Sequence, residues 1–394
     1  METTGQPKVG FVGWNPFQFL HFGRIASRFE NPAFVIEERR GISRFLDSGP
    51  ALSGSPRILN RSRKEMLSLD GEFDVLVCQT PFAGIERIRK SRIAMLQYGY
   101  AKEAHNFAPW RSFADLCITF GHYAERKIGH FCPAVSVGNP RYEDWAEEAF
   151  HVQARQKFAG ILDPEKKTIL YAPTWGALSS IHSYAEEILA LTRSHNVIFK
   201  LHHNTQLTDP QLTSSIRKKF GHICGADDDI VELLSVSDVM ITDYSGAIFD
   251  AIYCEVPIVL INSASSAGFG SSTSDIHSIE RARRDELGEI VTATTELAPA
   301  VQRTLENPGA RLALLENLRS ELFVDPANSS SRIAGLIFDL ADGRFQQTQL
   351  QGYVREEMRS FYQCRSELSA ARSVGGFLQM TVEQIQRKLQ GPPE

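Results

Sequence analysis

Apolar and polar positions alternate along this chain in two successive rounds, each a series of short apolar runs separated by polar, helix-compatible stretches. In the first round, Lys8–Gly13, Ala33–Glu37, Phe73–Gln79, Arg92–Tyr98, Leu116–Gly121 and Ala134–Val137 predict strands. The second round predicts strands at Thr168–Tyr171, Val197–Leu201, Val239–Thr242 and Ile258–Ile261, with another near Gly288–Val291. Helices fit Trp145–Phe158, Ser183–Arg193, Pro210–Phe220, Ile230–Val236, Gly246–Cys254, Glu296–Glu306 and Ala310–Leu322. Strands alternating with helices imply α/β architecture with largely parallel sheets. Asp47–Arg63, rich in Ser, Gly, Pro and Arg, reads as a loop, and Ser263–Ser278, dense in Ser and Gly, as a mobile loop and lid. Gly160–Lys167 reads as a linker, so the domains expected are residues 1–160 and 161–343, followed by a helical extension over 344–394.

In that extension Phe377, Met380, Ile385 and Leu389 recur at helical spacing. They suit a helix docked on the body or on a second copy, giving a homo-oligomer. A peripheral membrane contact is the alternative, weakened by Gly375-Gly376 and balanced charge.

The 394 residues suffice for two cores, and 42% hydrophobic with 23% charged residues is a normal globular balance. A net charge of −5 gives no reason to expect nucleic acid as a partner. Six cysteines are scattered without a CxxC pair, which suits reduced core thiols. Met1–Pro7 lacks the basic and apolar regions of a signal peptide, and no apolar run approaches the roughly 20 residues of a membrane span. The expectation is a cytoplasmic protein, with any membrane contact peripheral to the inner face.

Candidate chemistry gathers at strand ends. Val239–Asp250, VMITDYSGAIFD, reads as a strand, a polar turn and a helix start. Thr242, Asp243, Ser245 and Gly246 stand where a diphosphate would meet unpaired backbone N–H groups; an ordinary helix cap would use the same residues. TILYAPTW places Thr174, and VIFKLHHN places Lys200 and His202, at two further strand ends. His202 can donate to a phosphate oxygen or stabilise a leaving group; a structural histidine is the alternative, and His203 is the weaker candidate. Asp227, Asp228, Asp229 and Glu232 open a helix, where acids ordinarily cap; one can instead bind ribose hydroxyls, and nothing fixes a metal site. Ser330, Ser331 and Arg332 sit at another helix start, suited to phosphate or to capping.

In the first half, GWNPFQFLHFG carries Trp14, Asn15 and His21, as core or as an acceptor loop. QYGYAKEAHNF packs Tyr98, Lys102, Glu103 and His105 together and is the place to seek a general base. VGNPRYEDW offers Gly138 for close backbone approach and Arg141 for an anion. The strand-end clusters predict a transferase acting on a nucleotide-activated donor. There is no P-loop, no complete GxGxxG after the first strand, no HExxH and no GxSxG, which takes most of the weight from kinase, dehydrogenase, zinc protease and α/β-hydrolase readings.

YAPTW, KLH, the acidic stretch leading into ELLSVSD, ITDYSGAIFDAIYCEVPIVL and GNPRYEDW form an ordered series over roughly Leu116–Leu340. That series resembles the CDP-glycerol glycerophosphotransferase family, the teichoic-acid and capsule polymerases. The resemblance implies a GT-B-like fold, in which two Rossmann-like, doubly wound domains face a central cleft. Residues 1–160 would take the acceptor and 161–343 the donor. It implies transfer of a polyol phosphate, glycerol phosphate first, from a CDP-linked donor to a hydroxyl of a cell-envelope or capsule glycan or a lipid-linked acceptor, releasing CMP. No essential cofactor or metal is implied. Carried over, His202 resembles the phosphate-contacting histidine, Asp243 and Ser245 the diphosphate turn, and Arg141 the arginine of the N-terminal turn. Two places depart from the family: its Trp-His-Gly reads Gln97-Tyr98-Gly99 here, and the second Ser of TDYSS is Gly246. Glu103, His105 or His21 would then replace the family's histidine base. Polymerising and single-addition activity both stay open. So do a nucleotide-sugar glycosyltransferase, a catalytically silent scaffold and, more weakly, an epimerase of similar fold.

Overall fold

The computed structural model describes residues 6–39, 57–202, 204–205, 209–220, 223–225, 228–262 and 276–368. Outside them lie His203, Asp227, most of the expected loop and lid (residues 47–56 and 263–275), and the face of Phe377, Met380, Ile385 and Leu389. The first half is built on β1 (Val9–Gly13), β2 (Ala33–Glu37), β3 (Arg57–Arg61), β4 (Val75–Cys78), β5 (Arg92–Leu96), β6 (Leu116–Thr119) and β7 (Ala134–Ser136). They pair in parallel in the order β3-β2-β1-β4-β5-β6-β7. The second half is built on β8 (Thr168–Tyr171), β9 (Asn196–Phe199), β10 (Val239–Thr242), β11 (Ile258–Ile261) and β12 (Glu289–Val291), parallel in the order β12-β11-β10-β8-β9. Most central strands are buried along their whole length, because helices cover both faces of a parallel sheet.

One strand departs from expectation. Residues 57–61 fall in the segment read as a loop but form the edge strand β3, paired with β2. Its sequence RILNR is largely exposed, so burial left no apolar run to betray it.

Helix Ser329–Ala341 crosses back after the second sheet and packs on β4, β5 and helix Pro16–Ala26. Its Ile333, Ile337 and Leu340 join Phe11, Phe22 and Phe34 in the core under the first sheet. Another core runs continuously from one sheet to the other through Tyr100, Phe249 and Phe323. Phe323 meets Tyr100 at 5.2 Å and Tyr253 at 5.3 Å, and Tyr142 stacks on Tyr253 at 4.0 Å. Aromatic pairs of this kind contribute about 0.5–1.5 kcal/mol each beyond their buried area, so this layer holds the halves together beneath the cleft.

A final helix over residues 349–368 docks on the first half. Arg355 donates to the Ser112 carbonyl at 2.6 Å and pairs with Asp115 at 2.9 Å, and Tyr362 meets Phe113 edge-on at 5.0 Å.

Candidate active site

The loops after several strands converge on a cavity of about 210 Å³ between the two sheets. The second half supplies Thr174 after β8, Lys200 and His202 after β9, Asp228 and Asp229 before helix Ile230–Ser235, and Tyr244, Ser245 and Gly246 after β10. Strand β8 leads to β9 on one side while β10 lies on its other side. Ligands of open α/β sheets bind at such a switch in strand order, beyond the carboxyl ends of the strands. The first half supplies Phe17 and His21 from helix Pro16–Ala26, Tyr98 to Lys102 after β5, and Asn139, Arg141 and Tyr142.

Asp243 stands behind this wall rather than in it. It is fully buried; its Oδ1 accepts the Thr174 N–H at 2.7 Å, and its Oδ2 accepts the Ser180 N–H at 2.7 Å and the Ser180 hydroxyl at 2.8 Å. Burial pushes the carboxyl up, against the pull of these donors. Its role is to tie the loop after β8 to the loop after β10, which positions Thr174 and Ser245. Thr242 is likewise structural, its hydroxyl donating to the Ala172 carbonyl at 2.7 Å.

Lys200 donates from Nζ to the Gly225 carbonyl, and burial lowers its pKa. His202 accepts the Asn204 N–H on Nδ1 at 3.1 Å and lies 6.2 Å from the Trp175 ring. Lys102 faces them across the cleft, with Nζ 5.9 Å from the centre of the same ring. Its backbone is left-handed, φ 57°, and its N–H donates to Glu280 at 2.7 Å. Strained backbone of this sort collects at functional sites. Burial lowers the Lys102 pKa too.

Arg141 is already occupied. Its guanidinium bonds Asp229 and reaches Asp250 at 3.4 Å, with Phe17 5.1 Å beneath it. Asp229 also caps its helix by accepting the Val231 N–H at 3.0 Å. Burial pushes Asp229 up, but Arg141 and the cap outweigh it and hold the carboxyl below its usual range. At Asp250 burial wins and the pKa rises; its carboxylate also accepts the Tyr142 hydroxyl at 2.8 Å. One cation shared by two carboxylates makes Arg141 a bridge between the halves, not an open anion site.

Several expected residues lie outside the cavity. The left-handed turn at Lys102 sends Glu103 and His105 away from it. Glu103 binds the Tyr123 hydroxyl at 2.8 Å and Lys127, while His105 is exposed beside Trp110. Trp14 packs under Arg39, and Asn15 caps helix Pro16–Ala26 through the Gln18 N–H at 3.1 Å. Gly138 has φ +95°, and a Cβ there would lie 2.7 Å from the Pro326 Cα. The close backbone approach it permits is therefore to the returning chain, not to a ligand. Ser330 bonds Glu143 at 3.0 Å, Ser331 is exposed, and Arg332 donates to the carbonyls of Val137 and Asp325. Of the acidic cluster, Asp228 stays in the cavity wall and accepts the Gly225 N–H at 2.8 Å, while Glu232 lies outside it and pairs with Lys157. Among the described residues, no group of three or more His, Cys, Asp or Glu could hold a metal ion, and no helix is long and apolar enough to cross a membrane.

Sequence reasoning did not single out Phe17, Asn139, Tyr142, Tyr244 or Asp250. Only Asp250 carried a signal, as the one charge in the helix AIFDAIY.

Two parallel sheets facing a cleft lined by cations and hydroxyls define an α/β protein of the GT-B type. Residues 130–339, just over half of the chain, match the family described as CDP-Glycerol:Poly(glycerophosphate) glycerophosphotransferase, and the chain belongs to it. The wall teichoic acid polymerase TagF has a similar fold at 17% identity, with TM-score 0.61, covering 86% of this chain and 90% of that one. A TagF variant soaked with CDPG matches at 17% identity, with TM-score 0.62 and the same coverage. The UDP-GlcNAc 2-epimerase of Neisseria meningitidis, bound to UDP-GlcNAc, matches at 13% identity, with TM-score 0.54, covering 84% of this chain and 100% of that one. No curated protein matches the chain.

Proposed function

We propose that the protein transfers glycerol phosphate from CDP-glycerol to a hydroxyl of a cell-envelope or capsule glycan, releasing CMP. The observation that carries this is the cavity at the strand-order switch, where Lys200, His202 and Lys102 surround the hydroxyls of Thr174 and Ser245. Family membership supports the donor. In this reading residues 161–343 hold the CDP moiety, with Asp228 at the ribose, Thr174, Ser245 and Gly246 at the diphosphate, and His202 and Lys200 against its charge. The acceptor hydroxyl enters from the first half, between Phe17, Tyr98 and Lys102. The hydroxyl oxygen attacks the donor's β-phosphorus, and the bridging P–O bond breaks toward CMP. Cations fixed where negative charge builds up, and a held geometry, supply the acceleration.

The test is thermal stabilisation by CDP-glycerol, CDP-ribitol, CMP, UDP-sugars and GDP-sugars. A ligand at about 100 times its Kd stabilises by about 2.7 kcal/mol. Selective stabilisation by cytidine nucleotides, lost in Lys200→Met and His202→Ala, is the expected result. Preference for UDP- or GDP-sugars would replace the reading with a glycosyltransferase.

A further inference from the structure

We propose that His21 takes the proton from the acceptor hydroxyl, an assignment that rests on the transfer reaction proposed above. His21 is 2% exposed and forms part of the cavity wall, yet neither ring nitrogen has a hydrogen-bond partner. Buried polar atoms are nearly always bonded, so a histidine left with two open nitrogens beside a cavity needs a reason. The ring is held by packing alone: Phe17 meets it edge-on at 4.9 Å and Phe120 lies parallel at 6.3 Å. Both rings line the cavity, so an acceptor hydroxyl entering beside Phe17 and donating to one nitrogen would supply the missing bond.

The charged groups facing the ring are Arg141 and Asp229. Burial first, then Arg141, push the His21 pKa well below 6.5, with Asp229 only partly opposing. The imidazole is therefore neutral at pH 7 and able to accept a proton. Other groups in the cavity suit the step less well. Burial pushes Tyr98 up to about 12, and Asp229 and Asp250 are both bound to Arg141. His202 stands on the donor wall. In the step, the acceptor O–H bond breaks, its proton passes to a His21 nitrogen, and its oxygen bonds to the β-phosphorus. The electron pair of the broken P–O bond leaves on CMP.

The experiment compares His21→Gln and His21→Phe with the native protein, using CDP-glycerol as donor and glycerol as acceptor. Donor affinity, kcat and its pH profile, and the urea midpoint are measured. General bases contribute about 10²- to 10⁴-fold, so kcat should fall by that factor with donor affinity unchanged. The native kcat should hold its plateau to below pH 6.5 before falling. His21→Phe, which removes two unbonded nitrogens, should unfold at higher urea than the native protein while staying inactive. Native-like kcat in His21→Phe, or donor affinity lost in step with kcat, would overturn the assignment. Failure of the native protein to bind CDP-glycerol would overturn the transfer reading and this assignment with it.

Discussion

Replacing Arg141 by methionine separates a bridge between the halves from an anion-binding residue. The Arg141 side chain is 4% exposed, against 27% for Asp229 and 15% for Asp250. Methionine keeps the contact with Phe17 but leaves two carboxylates without their cation. Removing one partner of a buried ion pair costs about 3–5 kcal/mol, mostly the stranded charge. The partial exposure of Asp229 places this case near about 3 kcal/mol, at the lower end of that range. The cost depends on pH with a definite sign. In the native protein the Asp229 pKa lies below 3.8, so its stabilising contribution is complete above 3.8 and disappears as pH falls through the depressed value. In Arg141→Met burial is opposed only by the Val231 cap at Asp229 and the Tyr142 hydroxyl at Asp250, so both carboxyls titrate higher than in the native protein and the variant regains relative stability as pH falls. Urea unfolding at about pH 8 and about pH 5 measures this, and the gap from the native protein should be widest at the higher pH. Adding Asp229→Asn should recover part of the loss at pH 8. A cost under about 1 kcal/mol, or one independent of pH, would refute the bridge and leave Arg141 as a solvated cation of the kind a ligand could claim.

Gly121→Ala should destabilise by about 1–3 kcal/mol or more, read from the urea midpoint, because overpacking against backbone has no cheap relaxation. Its Cβ would lie 2.0 Å from the Leu322 carbonyl oxygen, next to the aromatic layer under the cleft. Asp243→Asn turns an acceptor into a donor facing the Ser180 N–H or the Thr174 N–H. Loss of a bond to a charged group costs about 1.5–3 kcal/mol, so donor affinity should drop by tenfold or more in calorimetry. The low His21 pKa means that the unfolded chain protonates first as pH falls below 6.5, so native stability is full above that value and declines below it. His21→Phe should flatten that part of the stability profile.

Much of the fold was legible because parallel strands buried on both faces announce themselves as apolar runs. VLVC, VMIT and IVLI are cases, and helix Pro210–Phe220 fell where its composition placed it. Strand β3 was hidden because an edge strand with exposed residues has no such run. The return of Ser329–Ala341 to the first sheet was also out of reach, since an amphipathic helix records that it packs but not on what. At the site, strand-end residues of the second half were readable through the rule of crossing strands: Thr174, Lys200, His202 and Ser245 all reach the cavity. The first half was less so. One left-handed residue, Lys102, turns Glu103 and His105 outward, and no local pattern foretells it. Nor could sequence tell that Arg141 meets its carboxylates from the other half, or that His21 lacks a partner.

The central claim is attack at the donor's β-phosphorus. Phosphorus-31 NMR of the protein turning over CDP-glycerol with a hydroxyl acceptor tests it most directly. The account expects CMP and a new glycerol phosphodiester to appear together. Release of CDP, which would mean cleavage at the glycerol carbon, or an unchanged donor with every acceptor offered, would contradict it.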